Sequence, residues 1–126
     1  MTLKEYFHII ENLLEHHWAI LENQIDYIRF SEWRGKIDGR IVLLGESYID
    51  FYEKVQIVNK TVIIERYSYQ YMRLIDGSQI FRYDNYPNHP GIFSPFHHKH
   101  TSKGVTRLEA APKLIEIIQE AVLHMY

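Results

Sequence analysis

Three histidines and a lysine occupy four consecutive positions, His97-His98-Lys99-His100, just behind Pro87, Pro90 and Pro95. Imidazole titrates near neutral pH, so two such rings can share the work of removing one proton and delivering another. RNA cleavage by transesterification needs those two transfers. A base takes the 2′-hydroxyl proton, an acid protonates the departing 5′-oxygen, and a cation steadies the charged phosphorane. His98 and His100 suit the first two parts and Lys99 the third. The bland alternative is a surface histidine cluster or an opportunistic transition-metal binder, which is the commoner case for such a tetrapeptide met alone. A dedicated zinc site is disfavoured, because His97, His98 and His100 are crowded for one tetrahedral ion and no cysteine assists.

Ahead of this segment stands Phe81-Arg82-Tyr83-Asp84-Asn85. In an extended strand, alternation puts Arg82 and Asp84 on one face and Phe81 and Tyr83 on the other. Arg82 and Asp84 read equally well as a structural ion pair or as separate tools: an anion clamp for phosphate and a carboxylate that orients a histidine ring. Tyr67-Ser68-Tyr69-Gln70-Tyr71 places three tyrosines on one strand face. Such a stripe is more often half-buried core or partner surface than catalytic; the sharper reading is a stacking platform for nucleotides. Glu46 is a further candidate base, with an exposed strand-end carboxylate as the default. A metal nuclease built on His97, Asp84 and Glu46 is a third reading.

The elements that must position these residues follow from periodicity. Thr2-Leu3-Lys4-Glu5 is a capping box, and Leu3, Tyr6, Phe7, Ile10, Leu13, Leu14, Trp18 and Leu21 recur at helical spacing, predicting a helix over about 3–22. Strands follow: Tyr27 to Trp33, a turn at Gly35 to Gly39 carrying Asp38-Gly39, Arg40 to Ser47, Thr61 to Leu74, a turn at Asp76-Gly77, and Gln79 to Tyr83. Residues 48–60 read as a bent strand or a short helical crossing. Short Asp-Gly turns imply antiparallel neighbours, so the expected fold is α+β, an antiparallel four- to five-stranded meander with an N-terminal and a C-terminal helix. Asn85 to Gly104 holds three of the four prolines and half of the eight histidines and reads as one long functional loop. Pro112 fits the first turn of the last helix, whose apolar face carries Leu114, Ile117, Ile118, Ala121, Val122 and Met125.

With 126 residues, 46% hydrophobic and 24% charged, the chain reads as a single domain over 1–126. A net charge of −2 argues against a general nucleic-acid coating protein but leaves room for local phosphate binding. The absence of cysteine excludes disulfides and thiolate chemistry. No apolar run could span a bilayer and the N-terminus lacks a signal-peptide layout, so a cytoplasmic location is expected.

Taken together, the segments resemble the TumE family, toxins of type II toxin–antitoxin modules. The shared features are Glu46 ending an early strand, Tyr67-Ser68-Tyr69, the Arg82-Tyr83-Asp84-Asn85 turn, then Pro87, His89 and Pro90, and His97-His98-Lys99-His100. The resemblance covers roughly residues 40–105. Gln70 and Asn88 stand where the family pattern has histidines, and Pro95-Phe96 reverses its Phe-Pro. The resemblance implies a toxin neutralised by a separately encoded antitoxin, usually a helix-turn-helix protein. A helix followed by an antiparallel meander is similar to RelE-like and barnase-like ribonucleases, an analogy of fold only. The leading expectation is a metal-independent endoribonuclease without cofactor. Its catalytic set is His98, His100, Lys99, Arg82, Asp84 and Tyr69, with Tyr67, Asn85, His89 and His97 in binding roles. RNA, the antitoxin and a second copy of the chain are the candidate partners. The alternative is a non-catalytic protein-binding subunit with a tyrosine-rich docking face.

Overall fold

The structure is a computed structural model that describes residues 1–86 and 97–125. Its elements in chain order are α1 (Leu3–His16), β1 (Ile20–Arg29), β2 (Arg34–Leu43), β3 (Ser47–Val58), β4 (Thr61–Arg73), β5 (Gln79–Asp84), β6 (His97–Thr101), β7 (Gly104–Leu108) and α2 (Leu114–Leu123). The seven strands form one antiparallel sheet in sequential order. The α+β class with a helix at either end therefore holds, while the meander is longer than the four or five strands expected.

The differences have local causes. α1 opens with the capping box: the Glu5 amide donates to Thr2 Oγ1 at 3.1 Å and the Thr2 amide to Glu5 Oε1 at 3.3 Å. It stops at His16 rather than near residue 22. His17 leaves the helix, its ring Nδ1 accepts the Ala19 amide at 3.1 Å, and the Leu44 amide donates to the Ala19 carbonyl at 2.9 Å. These bonds draw the chain into β1. Trp18 and Leu21 continue the helical spacing only by coincidence, and both are exposed.

Asp38-Gly39 is not a turn but lies inside β2, with Asp38 opposite Asp26 and Tyr52. The reversal occurs instead at 30–33, where Ser31 Oγ accepts the amides of Trp33 and Arg34. Gly39 serves a different purpose. Its φ is +152°, and a Cβ there would lie 2.0 Å from the Gln24 carbonyl oxygen, so only glycine lets β1 approach. Residues 48–60 resolve into the unbroken strand β3, buried at alternate positions, and the turn at Asn59-Lys60. Pro112 precedes the helix, since Lys113 is the N-cap of α2. The expected loop over Asn85 to Gly104 is also partly wrong: from His97 onward the chain forms the hairpin β6–β7, which runs on to Leu108, with Gly104 at φ +123°.

Alternation assigns the two faces of the sheet. Ile37, Ile41, Ile49, Phe51, Val55, Tyr67, Tyr69, Tyr71, Phe81 and Tyr83 join Leu3, Phe7, Ile10 and Leu14 of α1 and Leu114, Ile117, Ile118 and Ala121 of α2 in one core. Both helices thus cover the same face. Tyr6 of α1 donates to Glu53 at 2.5 Å, and Tyr83 donates to Glu120 of α2 at 2.6 Å. Among the described residues, no element covers the other face.

Candidate functional site

Antiparallel register arranges the uncovered face as two transverse rows. One runs Asp38, Tyr52, Ser68, Asp84, His98, Arg107 from β2 to β7; the next runs Arg40, Asp50, Gln70, Arg82, His100, Val105. Neighbours in a row sit one strand spacing apart, about 4.8 Å. Arg82 is opposite His100 and Asp84 is opposite His98, so two residues from each of β5 and β6 converge.

Asp84 is their centre, with 2% of its side chain exposed. Its Oδ2 lies 2.8 Å from Arg82 Nε and 3.1 Å from His100 Nε2. Its Oδ1 accepts the Tyr86 amide at 3.1 Å and lies 3.7 Å from His98 Nδ1. The rings of His98 and His100 are 6.0 Å apart, edge to face. Arg82 and Arg66 both approach the Tyr86 ring, at 5.8 and 5.1 Å. A buried carboxylate needs such partners, since an uncompensated charge at this depth costs several kcal/mol, on the order of 3–5.

Chemically the cluster can do two things. Asp84, His98 and His100 each offer one ligand atom, all within 4.8 Å of one another, a spacing that fits a divalent metal. The Arg82 guanidinium touches the same carboxylate oxygen as His100, so a cation there would face a fixed positive charge. An anion approaching from solvent would first meet Arg82 and His100, whose side chains are 29% and 25% exposed, with His98 buried behind them.

The other sequence-derived site residues fall elsewhere. Lys99 is on the helix-covered face, 2.9 Å from Glu120, which also accepts the Tyr83 hydroxyl. Burial opposes its charge, but the hydrogen bonds to Glu120 and Tyr83 outweigh burial and hold its pKa above the usual lysine value. Tyr69 is buried on that same face, donating to Glu53 at 2.6 Å. Tyr67 stacks on Tyr69 at 5.0 Å and pairs with His97 Nδ1 at 2.7 Å. The tyrosine stripe is therefore core, neither an accessible nucleotide platform nor a docking face. Asn85 is buried and clasps β4: its Oδ1 accepts the Tyr67 amide at 2.9 Å and its Nδ2 donates to the Glu65 carbonyl at 3.0 Å. Glu46 sits in the β2–β3 turn, where its carbonyl accepts the Leu74 amide; β4 separates that point from Ser68, opposite Asp84, by roughly 20 Å. It is not brought to the cluster. His89 lies outside the described residues.

Sequence reasoning missed Arg107, which register places beside His98; Lys103-Gly104 before Val105-Thr106-Arg107 was the available hairpin signal. It also missed Glu53, a carboxylate 1% exposed beneath α1. Burial raises the Glu53 pKa, against the lowering effect of its hydrogen bonds from Tyr6 and Tyr69.

By fold and site, the chain is a small α+β domain in which Arg82, Asp84, His98 and His100 cluster on the sheet face that no described element covers. It belongs to the TumE toxin family: the family model described as Toxin TumE matches residues 7–125. Membership makes it the toxin of a toxin–antitoxin module, with an antitoxin as its partner. No curated protein and no solved structure matches the chain. Among the described residues, no helix is long and apolar enough to cross a membrane.

Proposed function

We propose that this toxin is a metal-independent endoribonuclease working at the Asp84 cluster, and that its antitoxin is a helix-turn-helix protein. The observation that carries the catalytic reading is the convergence of His98, His100 and Arg82 on one buried carboxylate, on the sheet face that no described element covers. One imidazole removes the 2′-hydroxyl proton. The freed oxygen attacks phosphorus and the bond to the 5′-oxygen breaks. The second imidazole protonates that leaving oxygen, giving a 2′,3′-cyclic phosphate and a 5′-hydroxyl end. Arg82 and Arg107 face the non-bridging oxygens, and Asp84 holds Arg82 and His100 in place. Lys99 and Tyr69 have no part in this version of the site, because the sheet separates them from it.

The test is cleavage of single-stranded RNA by purified protein in EDTA. His98→Ala and His100→Ala each lower the rate by about 10²–10⁴-fold, the usual worth of a positioned acid or base. Lys99→Met stays within a few-fold of wild type. Since one group must be protonated and another not, the pH–rate profile is bell-shaped. Chelator-sensitive cleavage would transfer the reading to a metal held by Asp84, His98 and His100. Undiminished cleavage by both histidine variants would remove it.

A further inference from the structure

Beside the cluster, towards β3 and β2, the uncovered face sinks into a groove of about 450 Å³. Its near wall is Ser68 and Gln70, directly opposite Asp84 and Arg82 in the β4–β5 register. Groove and cluster therefore adjoin at one strand spacing, about 4.8 Å. The volume falls in the range of small-molecule sites, about 300–1,000 Å³.

The lining is chemically unlike the cluster. Tyr52 and Tyr86, both half-buried, bring aromatic rings. Ser68 and Gln70 bring a hydroxyl and an amide that each donate and accept. Also in the lining, Arg40 is paired with Asp50 at 2.8 and 3.3 Å and lies 4.0 Å above the Tyr48 ring, so its charge is already compensated. Asp38 adds a further carboxylate to the lining. A second phosphate would meet repulsion there. A neutral, flat, hydrogen-bonding group would not. In a nucleotide the base is separated from its phosphate by one sugar, matching a step of one to two strand spacings from Arg82 into the groove.

We propose that this groove is a nucleobase subsite, holding the base of the nucleotide whose phosphate occupies the Arg82–His98–His100 cluster. The proposal rests on the ribonuclease reading for the phosphate's position. It adds the ligand class, a ribonucleotide bound through its base, and assigns the binding to Tyr52 and Gln70, with Tyr86 closing the side nearest the cluster.

The experiment is titration of wild-type protein, by calorimetry, with inorganic phosphate and with the four 3′-nucleoside monophosphates, which the enzyme cannot cleave further. At least one nucleotide binds about tenfold more tightly than phosphate, the size expected of one base stacked on an aromatic ring. Tyr52→Ala or Gln70→Ala removes most of that advantage and leaves the phosphate affinity as it was. Arg82→Ala weakens phosphate and nucleotides alike. Nucleotides binding no better than phosphate, or an advantage untouched in both groove variants, would overturn the subsite. The ribonuclease reading fails separately. Intact RNA together with a retained nucleotide advantage would sink cleavage and keep the groove, whereas cleavage without any advantage would do the reverse.

Discussion

The Asp84 carboxylate meets Arg82 and His100 through one oxygen and the Tyr86 amide through the other, with almost no access to water. Removing its charge while keeping its shape leaves the guanidinium without its counter-ion and the imidazole without the carboxylate it lies against. Asp84→Asn is therefore expected to lower stability by about 1–3 kcal/mol, the penalty for partly buried polar groups that lose a partner. Urea unfolding at neutral pH checks this, and a midpoint equal to that of wild type would show that the carboxylate holds nothing. Glu53 gives a second residue-scale expectation, with a defined sign. Burial raises its folded pKa above the ordinary glutamate value. Its contribution is then fully present at pH below the unfolded value and is lost as pH rises through the folded one. Relative to Glu53→Gln, wild-type stability should fall as pH climbs out of the ordinary carboxylate range. Parallel stability–pH curves for the two proteins would contradict this. Asp84 was legible in the sequence as a carboxylate two residues from Arg82 and ahead of the histidines, whereas Glu53 was not: it stands in an alternating strand like any surface glutamate, and only the docking of α1 turns its position into an interior one.

At the scale of elements, the cluster depends on β5 holding its place between β4 and β6. β5 is short, only Gln79–Asp84, and the Asn85 side chain fastens its end to the β4 backbone by two hydrogen bonds. Asn85→Ala should cost about 1–3 kcal/mol, since the Tyr67 amide and the Glu65 carbonyl lose their partner. The same change should speed hydrogen exchange at the Tyr67 amide. Unchanged protection there would mean that the strand end is fixed by something else. The strands themselves show how far local pattern reaches. Alternation placed Arg82 with Asp84 and the three tyrosines together, because side chains along any extended strand alternate regardless of context. It failed for residues 97–100, because the surrounding prolines and glycines suggested a loop, and a loop has no alternation to read. Once the segment pairs as β6, Lys99 and His97 must point away from His98 and His100.

For the whole molecule, both helices pack on one side of the sheet and the proposed site lies on the other, so the toxin's effect is expected to depend on the second face. Induced expression is expected to arrest growth, with the arrest abolished in the His98→Ala, His100→Ala double variant and retained in Lys99→Met. Colony counts after induction measure it; arrest by the double variant would place the toxic action elsewhere on the protein. By itself the sequence determined the α+β class, the capped first helix, the antiparallel order of neighbours and the residue types available for proton transfer and phosphate binding. Each of these depends on spacing within a few residues or on short turns, where local sterics and periodicity dominate. The tertiary structure alone decided which face the helices cover, that β6 lies against β5 in the register opposing His98 to Asp84 and His100 to Arg82, and that the tyrosines and Lys99 belong to the interior side. Those outcomes rest on pairing between strands distant along the chain, and a shift of one residue in that pairing would reverse every side chain's face.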